Sequence, residues 1–413
     1  MTSCTPAAGG SWWIPGVVQC PDPAGVVNLG PGYLDPALLP TDALRDAYAS
    51  ALTEYGPAAL AYGENQGPLP LRTALADRIT RADGVPCSPD QLVITAGTSS
   101  MLDLLARSAP DGAVVFVEDL SYDLGVEIFR ARGLTVRRVP TDESGMAPDV
   151  LAHAIEHAST GRGRVAFMYL VPTFHNPTGR VVPQDRRSAL IAVAQRYGVT
   201  VIEDDAYADV FLEPDAVPRS LAGSAGYQGV LRLGSFSKSL APGVRLGWLA
   251  ADSPTANAWA DSAMFVSGGG VNHLAAMAVT TLIESGGYER HVGRLRDQLR
   301  QRRDALVDTL RGELDFPVPR PAGGFFVWLR PPDRCAESEL VAAAERDGVP
   351  VAAGSRFGEA RGPAVRLAFS FHPPDRLADA AARLSAAWRA TLSGPPAAPT
   401  PGRLPSAGAD RTA

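Results

Sequence analysis

The sequence predicts an α/β protein: a mostly parallel sheet between helices, followed by a smaller mixed region. Three observations carry that reading. Between about Ala58 and Thr281, short β-branched runs alternate with amphipathic stretches, the rhythm of strand and crossover helix. One amphipathic stretch, 184–197, stops at a glycine and turns straight into the apolar run VTVIEDD. At 413 residues the chain is longer than one hydrophobic core usually grows, so two packed units are expected.

In chain order, QLVIT is a strand and SSMLDLLARSA the helix after it; AVVFVE is followed by the helical GVEIFRARG, and RVAFMYL is the next strand. In the helix 184–197, Ala189, Leu190, Val193 and Ala194 recur at helical spacing, and Gly198 supplies the stop. LRLG is a further short strand. After the charged helical stretch GGYERHVGRLRDQLRQRRDALVDTL, a second region opens with FFVWL and closes with VRLAFSF and another helix. The expected division is a large domain over 48–285 and a small domain made of 1–47 with 286–392. The remaining 393–413, rich in Pro, Ala and Gly, has little to bury and is expected to be disordered.

Composition narrows the function. With 46% hydrophobic and 20% charged residues the chain is globular, and its formal charge of −6 argues against a nucleic-acid-binding surface and for small-molecule partners. Cys4, Cys20, Cys87 and Cys335 have no C-x-x-C spacing, which gives neither a zinc site nor a disulfide framework and fits a reducing cytoplasm. No run of eighteen apolar residues and no signal-peptide pattern is present, so no membrane association or export is expected.

The chemistry starts at GSFSKSLAPGVRLG, where Lys238 stands among three serines with no other charge until Arg245. The segment follows a short strand, and ligands of parallel sheets sit at the carboxyl ends of strands. A partly desolvated lysine there can lose its proton and form a Schiff base with a carbonyl group. On its own, Lys238 reads first as a surface lysine. Its company changes the balance. VTVIEDDAY ends in Glu203, Asp204 and Asp205, and carboxylates at a buried strand end call for a cation. In QLVITAGTSS, Gly97 permits close backbone approach, and Thr98 and Ser99 open a helix whose free N–H groups suit a phosphate. Ser235, Ser237 and Arg245 extend that cage, Arg245 with a bidentate fork. Tyr122 sits at another strand end, positioned to stack on a flat ring, and Tyr207 is three residues beyond Asp204. An aldehyde-accepting lysine, a carboxylate for a pyridinium, a phosphate cage and a flat ring contact are what pyridoxal phosphate requires of a protein.

Taken together, SFSKSLAPGVRLGW, HNPTG, EDDAY and AYGENQG resemble the class I/II aminotransferases, fold type I pyridoxal-phosphate enzymes, in the branch that includes aminoadipate and kynurenine aminotransferases. The resemblance spans about Leu29 to Ala387 in order. It implies a seven-stranded, mostly parallel sheet in the large domain and a homodimer with shared active sites. By the resemblance, Lys238 is the Schiff-base lysine and proton shuttle, Asp204 the pyridinium partner, Asn176 and Tyr207 the holders of the ring hydroxyl, and Tyr122 the stacking ring. Gly97, Thr98, Ser99, Ser235, Ser237 and Arg245 surround the phosphate, with Tyr62 entering from the other subunit. Arg366 grips the substrate α-carboxylate, and Gly32 lies in the amino-terminal segment that closes over substrate.

The activity so implied is transfer of an amino group from an L-amino acid to a 2-oxo acid. The same lysine, carboxylate and cage also support elimination, replacement, cyclisation and oxidation by dioxygen, and these stay open as alternatives. A transcription regulator with an aminotransferase-like domain is a remoter reading, since about thirty residues precede the resemblance and they hold no basic recognition helix. The glycines of SGGGVNH (267–273) read as a pocket rim or as a plain turn, and Trp12 and Trp13 as packing for a dimer partner.

Overall fold

A computed structural model describes residues 19, 22–160, 164–215, 217–359 and 362–392. Trp12, Trp13 and the tail 393–413 lie outside these described residues. The strands in chain order are β1 (Leu92–Thr95), β2 (Val114–Glu118), β3 (Thr135–Val139), a two-residue ribbon of β4 (Thr141–Asp142) and β5 (Gly145–Met146), β6 (Val165–Leu170), β7 (Thr200–Asp204), β8 (Val230–Ser235), β9 (Gly247–Ala250), β10 (Phe326–Leu329), β11 (Ala352–Ala353) and β12 (Val365–Ala368).

Seven of them form one sheet in the order β1-β9-β8-β7-β6-β2-β3, parallel except for β9, which runs antiparallel to both its neighbours. The expected α/β architecture is borne out. β1, β2 and most of β6 to β8 are buried, which is why they read as near-continuous β-branched runs. One face packs Leu102, Leu105 and Val126 from the helices Thr98–Ser108 and Asp123–Ala131 against Val115, Tyr169, Ile202 and Leu233 of the sheet. The other packs Leu75, Ile155, Leu190 and Val279 against Phe116, Met168 and Val201.

The helix Gln184–Tyr197 ends where expected, with Gly198 left-handed at φ 64°. Its buried stripe holds Leu190, Ile191 and Ala194 together with Arg187, while Ala189 and Val193 are only half buried. Arg187 is tolerated in the core because its guanidinium donates to Val182 O, Pro172 O and Thr173 Oγ1 and lies 3.6 Å from Glu203.

A second core surrounds the antiparallel sheet β10-β12-β11 and includes Phe325, Phe326, Leu367, Leu384 and Trp388. Val27 and Leu29 of the amino-terminal segment join it, as Ala368 N donates to Leu29 O at 2.7 Å. The 27-residue helix Gly287–Glu313 connects both cores, burying Tyr288 and Val292 in the first and Leu295, Leu299, Leu306 and Leu310 in the second. The cleft between the cores is where strand ends, β12 and the amino-terminal segment meet.

Candidate active site

Strand alternation sorts the three carboxylates at the end of β7. Glu203 and Asp205 point to the face lined by the helix Gln184–Tyr197, and each finds compensation there. Glu203 accepts from the backbone N–H groups of Leu221 and Ala222, and burial pushes its carboxyl up to about 7. Arg232 clamps Asp205 at 2.6 Å and Asp83 at 3.0 Å. Asp204 faces the other way, toward Tyr169, whose hydroxyl donates to its Oδ2 at 2.8 Å. The second oxygen, Oδ1, is buried and unpartnered. Desolvation raises the Asp204 carboxyl to about 6, against the lowering hydrogen bond from Tyr169 and the Lys238 charge.

Lys238 follows β8 and reaches the same cleft. Its Nζ donates to Gly32 O at 3.0 Å and lies 5.7 Å from the Tyr207 ring centre. Desolvation, then the neighbouring Arg366 cation, bring its ammonium down to about 8, with Asp204 pulling the other way. Arg366, on β12, is buried and stacked on Phe326 at 4.1 Å and on Phe357 at 4.6 Å, donating to Asn176 Oδ1 and to Gly30 O. Its guanidinium is planar and flanked by rings, a fork suited to a carboxylate. Asn176 follows His175, whose Nδ1 pairs with Thr178 Oγ1 at 2.8 Å and whose Nε2 lies 3.1 Å from Glu118. Tyr207 is buried edge-on against Phe325 and Phe326, and burial raises its phenol well above the ordinary value. Desolvation does the same to half-buried Tyr122 at the start of the helix Asp123–Ala131.

The phosphate side is built from backbone. The helix Thr98–Ser108 begins at Gly97 without a side-chain cap, so its first N–H groups keep their donors. Gly97 has φ +96°, and a Cβ there would lie 2.9 Å from Arg245 Nη2. Thr98 is half buried in the first turn, whereas the Ser99 side chain is exposed. Arg245 reaches across to Ala96 O, and Ser235 Oγ accepts from Ser237 N on the adjoining turn. Tyr62 is 87% exposed, its ring against Gly268 of the segment 267–273, and the next residue, Gly63, abuts His273.

The structure thus brings Lys238, Asp204, Tyr207, Asn176, Arg366 and Gly32 into one cleft, groups Gly97, Thr98, Ser235, Ser237 and Arg245 at the helix terminus, and leaves Tyr62 on the surface. The groups fit pyridoxal phosphate: the unpartnered buried Oδ1 of Asp204 suits a ring N–H, the uncapped helix suits an anion, and Lys238 carries a readily freed amine. Sequence reasoning missed Tyr169, Phe326 and Phe357. Tyr169 and Phe357 look like ordinary core aromatics in sequence; only the doubled ring in GGFFVWL beside glycines hinted at a pocket wall.

Fold and site together define an α/β protein equipped for chemistry on an amino acid through a carbonyl cofactor. The chain belongs to the aminotransferase class I and II family, whose model matches residues 24–384. It is 33% identical to a 2-aminoadipate transaminase of Thermus thermophilus over 89% of this chain and 91% of that protein. It is 32% identical to YisV, an uncharacterised HTH-type transcriptional regulator of Bacillus subtilis, over 74% of this chain, spanning 62% of the regulator's length. Among solved structures, Pyrococcus horikoshii kynurenine aminotransferase superposes with a TM-score of 0.82 at 27% identity, covering 90% of this chain and 92% of that one. LysN, the α-aminoadipate aminotransferase of T. thermophilus, solved with a phosphopyridoxyl-leucine adduct, gives 0.78 at 29% identity, covering 90% and 94%.

Proposed function

We propose that this chain is a pyridoxal-phosphate-dependent aminotransferase that moves the amino group of an L-amino acid to a 2-oxo acid. The observation that carries the reading is the convergence of Lys238, Asp204 and Arg366 in one cleft beside an uncapped helix. Family membership and the aminotransferase likenesses support it. When bound, pyridoxal phosphate supplies an aldehyde for Schiff-base chemistry and a ring that withdraws electrons from the substrate α-carbon.

The protein's part follows from its own groups. Gly97, Thr98, Ser99, Ser235, Ser237 and Arg245 would hold the phosphate, and Asn176 and Tyr207 the ring hydroxyl, with Tyr122 against the ring. Asp204 would keep the ring nitrogen protonated. Arg366, held flat between Phe326 and Phe357, would orient the substrate by its α-carboxylate. Lys238 Nζ, its pKa lowered to about 8, is a competent base near neutral pH and would take the α-proton and return it. The carbonyls of Gly30 and Gly32 meet Arg366 and Lys238, so this amino-terminal segment would cover the bound substrate and exclude water.

Tyr62 is assigned to the partner's site in a homodimer. Its exposure close after exposed Leu60, with its ring against Gly268, supports that use, because exposed apolar surface marks an interface. The two cores support a division into a large and a small domain, but the expected boundary at 47/48 falls inside the helix Thr41–Tyr55, whose Ala47 and Ala51 pack into the first core, so this helix goes with the large domain. We assign the enzyme to the cytoplasm, in keeping with four cysteines that lack disulfide spacing. Among the described residues no helix is long and apolar enough to cross a membrane.

Amino-nitrogen tracing tests the reading. Mixed with ¹⁵N-labelled L-amino acids and 2-oxo acids, the holoenzyme is expected to place the label in a new amino acid. Label appearing as free ammonia would replace transamination by elimination or oxidation.

A further inference from the structure

We propose that Tyr169 is the positioning residue of Asp204, setting which carboxylate oxygen faces the cofactor ring and how strongly that oxygen holds a proton on it. The proposal rests on the reading of Asp204 as the pyridinium partner. Three observations carry it.

Tyr169 and Asp204 sit on neighbouring parallel strands, with Tyr169 of β6 paired to Ile202 of β7, so the tyrosine and the carboxylate two residues on share one face of the sheet. The phenol donates to Oδ2 at 2.8 Å from a fully buried side chain. Little freedom is left to either group. The Tyr169 ring lies edge-on to Phe129 at 5.4 Å, and Gly125 of the same helix is small enough to let the hydroxyl by, since a Cβ there would lie 3.0 Å from it. With Oδ2 engaged, the unpartnered oxygen is Oδ1.

Chemistry favours this donor. Burial raises the Tyr169 phenol well above its ordinary value, so the proton stays on the tyrosine, and its hydrogen bond lowers the Asp204 carboxyl against the desolvation that raises it. The other charged or titratable groups around the pair are Lys238, Asp205, Tyr122, Tyr207 and, behind Tyr169, Glu118. Without the phenol, Asp204 would keep only the weaker of its two lowering hydrogen bonds, that from the Ala206 backbone N–H; the carboxylate would become more basic, and the shared proton would move from ring nitrogen to Asp204. Loss of positive charge on the ring lets the Lys238-linked nitrogen keep its proton to higher pH. A packing role predicts none of this.

The test compares the full-length wild type with Tyr169→Phe, Asp204→Asn and the double variant. It measures the dissociation constant for pyridoxal phosphate and the pH midpoint of the bound cofactor's absorption change. Tyr169→Phe keeps the ring against Phe129 and is expected to weaken cofactor binding by roughly tenfold, the worth of a hydrogen bond to a charged group, and to move the midpoint upward. Asp204→Asn should do more, and the double variant no more than Asp204→Asn. Wild-type values in Tyr169→Phe alongside an impaired Asp204→Asn, or losses that simply add in the double variant, would overturn the Tyr169 proposal and leave Asp204 in place. Wild-type values in Asp204→Asn would remove the Asp204 reading and this proposal with it. A chain carrying 3,5-difluorotyrosine at 169, a stronger donor of nearly the same shape, decides the matter even if Tyr169→Phe fails to fold: the midpoint must move downward, and an unmoved midpoint contradicts the proposal.

Discussion

Arg366 Nη1 donates to Asn176 Oδ1 at 2.7 Å, joining β12 of the second core to the HNPTG loop beside the large sheet. The residue proposed to bind the substrate carboxylate thus also holds the loop proposed to hold the cofactor. Arg366→Lys keeps the charge but loses the planar fork. We predict a fall in kcat/KM of about a hundredfold, expressed mainly in KM, in steady-state assays over a range of amino-donor concentrations. An unchanged KM would take the carboxylate away from Arg366.

The pH behaviour of cofactor capture follows from Lys238 and Asp204. An amine attacks an aldehyde only when neutral, so lowering the Lys238 pKa from 10.5 to about 8 moves the onset of reactivity toward neutrality. Capture of pyridoxal phosphate by the apoprotein is predicted to rise about tenfold per pH unit up to about 8 and then level. Asp204, ionised above about 6, adds a steeper loss below that value. Stopped-flow absorbance across the pH range checks this, and a rate still climbing beyond pH 9 would mean an ordinary lysine. Lys238→Ala should fold and bind cofactor without covalent linkage, and show no turnover.

Gly97 combines φ +96° and ψ 164°, a region essentially reserved for glycine. Gly97→Ala should cost about 1–3 kcal/mol in stability from that strain and weaken cofactor binding by about tenfold or more, because the added methyl intrudes on Arg245 Nη2. Urea melts and cofactor titration read the two effects separately.

Arg232 bridges Asp83 and Asp205 beneath the site. Removing it strands two buried carboxylates, so Arg232→Met is predicted to lose about 3–5 kcal/mol of stability at neutral pH. Protonating the stranded carboxylates relieves the penalty, so the gap to wild type should narrow as the pH falls. Urea unfolding at two pH values measures it.

The sheet was legible where strands are buried on both sides, since Val114–Glu118 can be little else. β3, reading TVRRV at the sheet edge with alternating exposure, carries no such run, and β9, reading GWLA, has no β-branched residue to mark it. Within the site, Lys238 was visible because no charge surrounds it, and Gly97 because it opens a helix. Arg187 shows a limit of periodicity: a cation entered the apolar stripe because four acceptors and Glu203 wait there. Tyr169 shows another, as its partner is 35 residues away and its strand looks like plain core.

The most direct test of transamination is a single turnover: holoenzyme mixed with one amino acid at a time, without an oxo acid acceptor, in air and then without oxygen. The expected result is conversion of the cofactor to its stable pyridoxamine form with one equivalent of oxo acid, regardless of oxygen. Regeneration of the starting spectrum with ammonia release or oxygen consumption would contradict it.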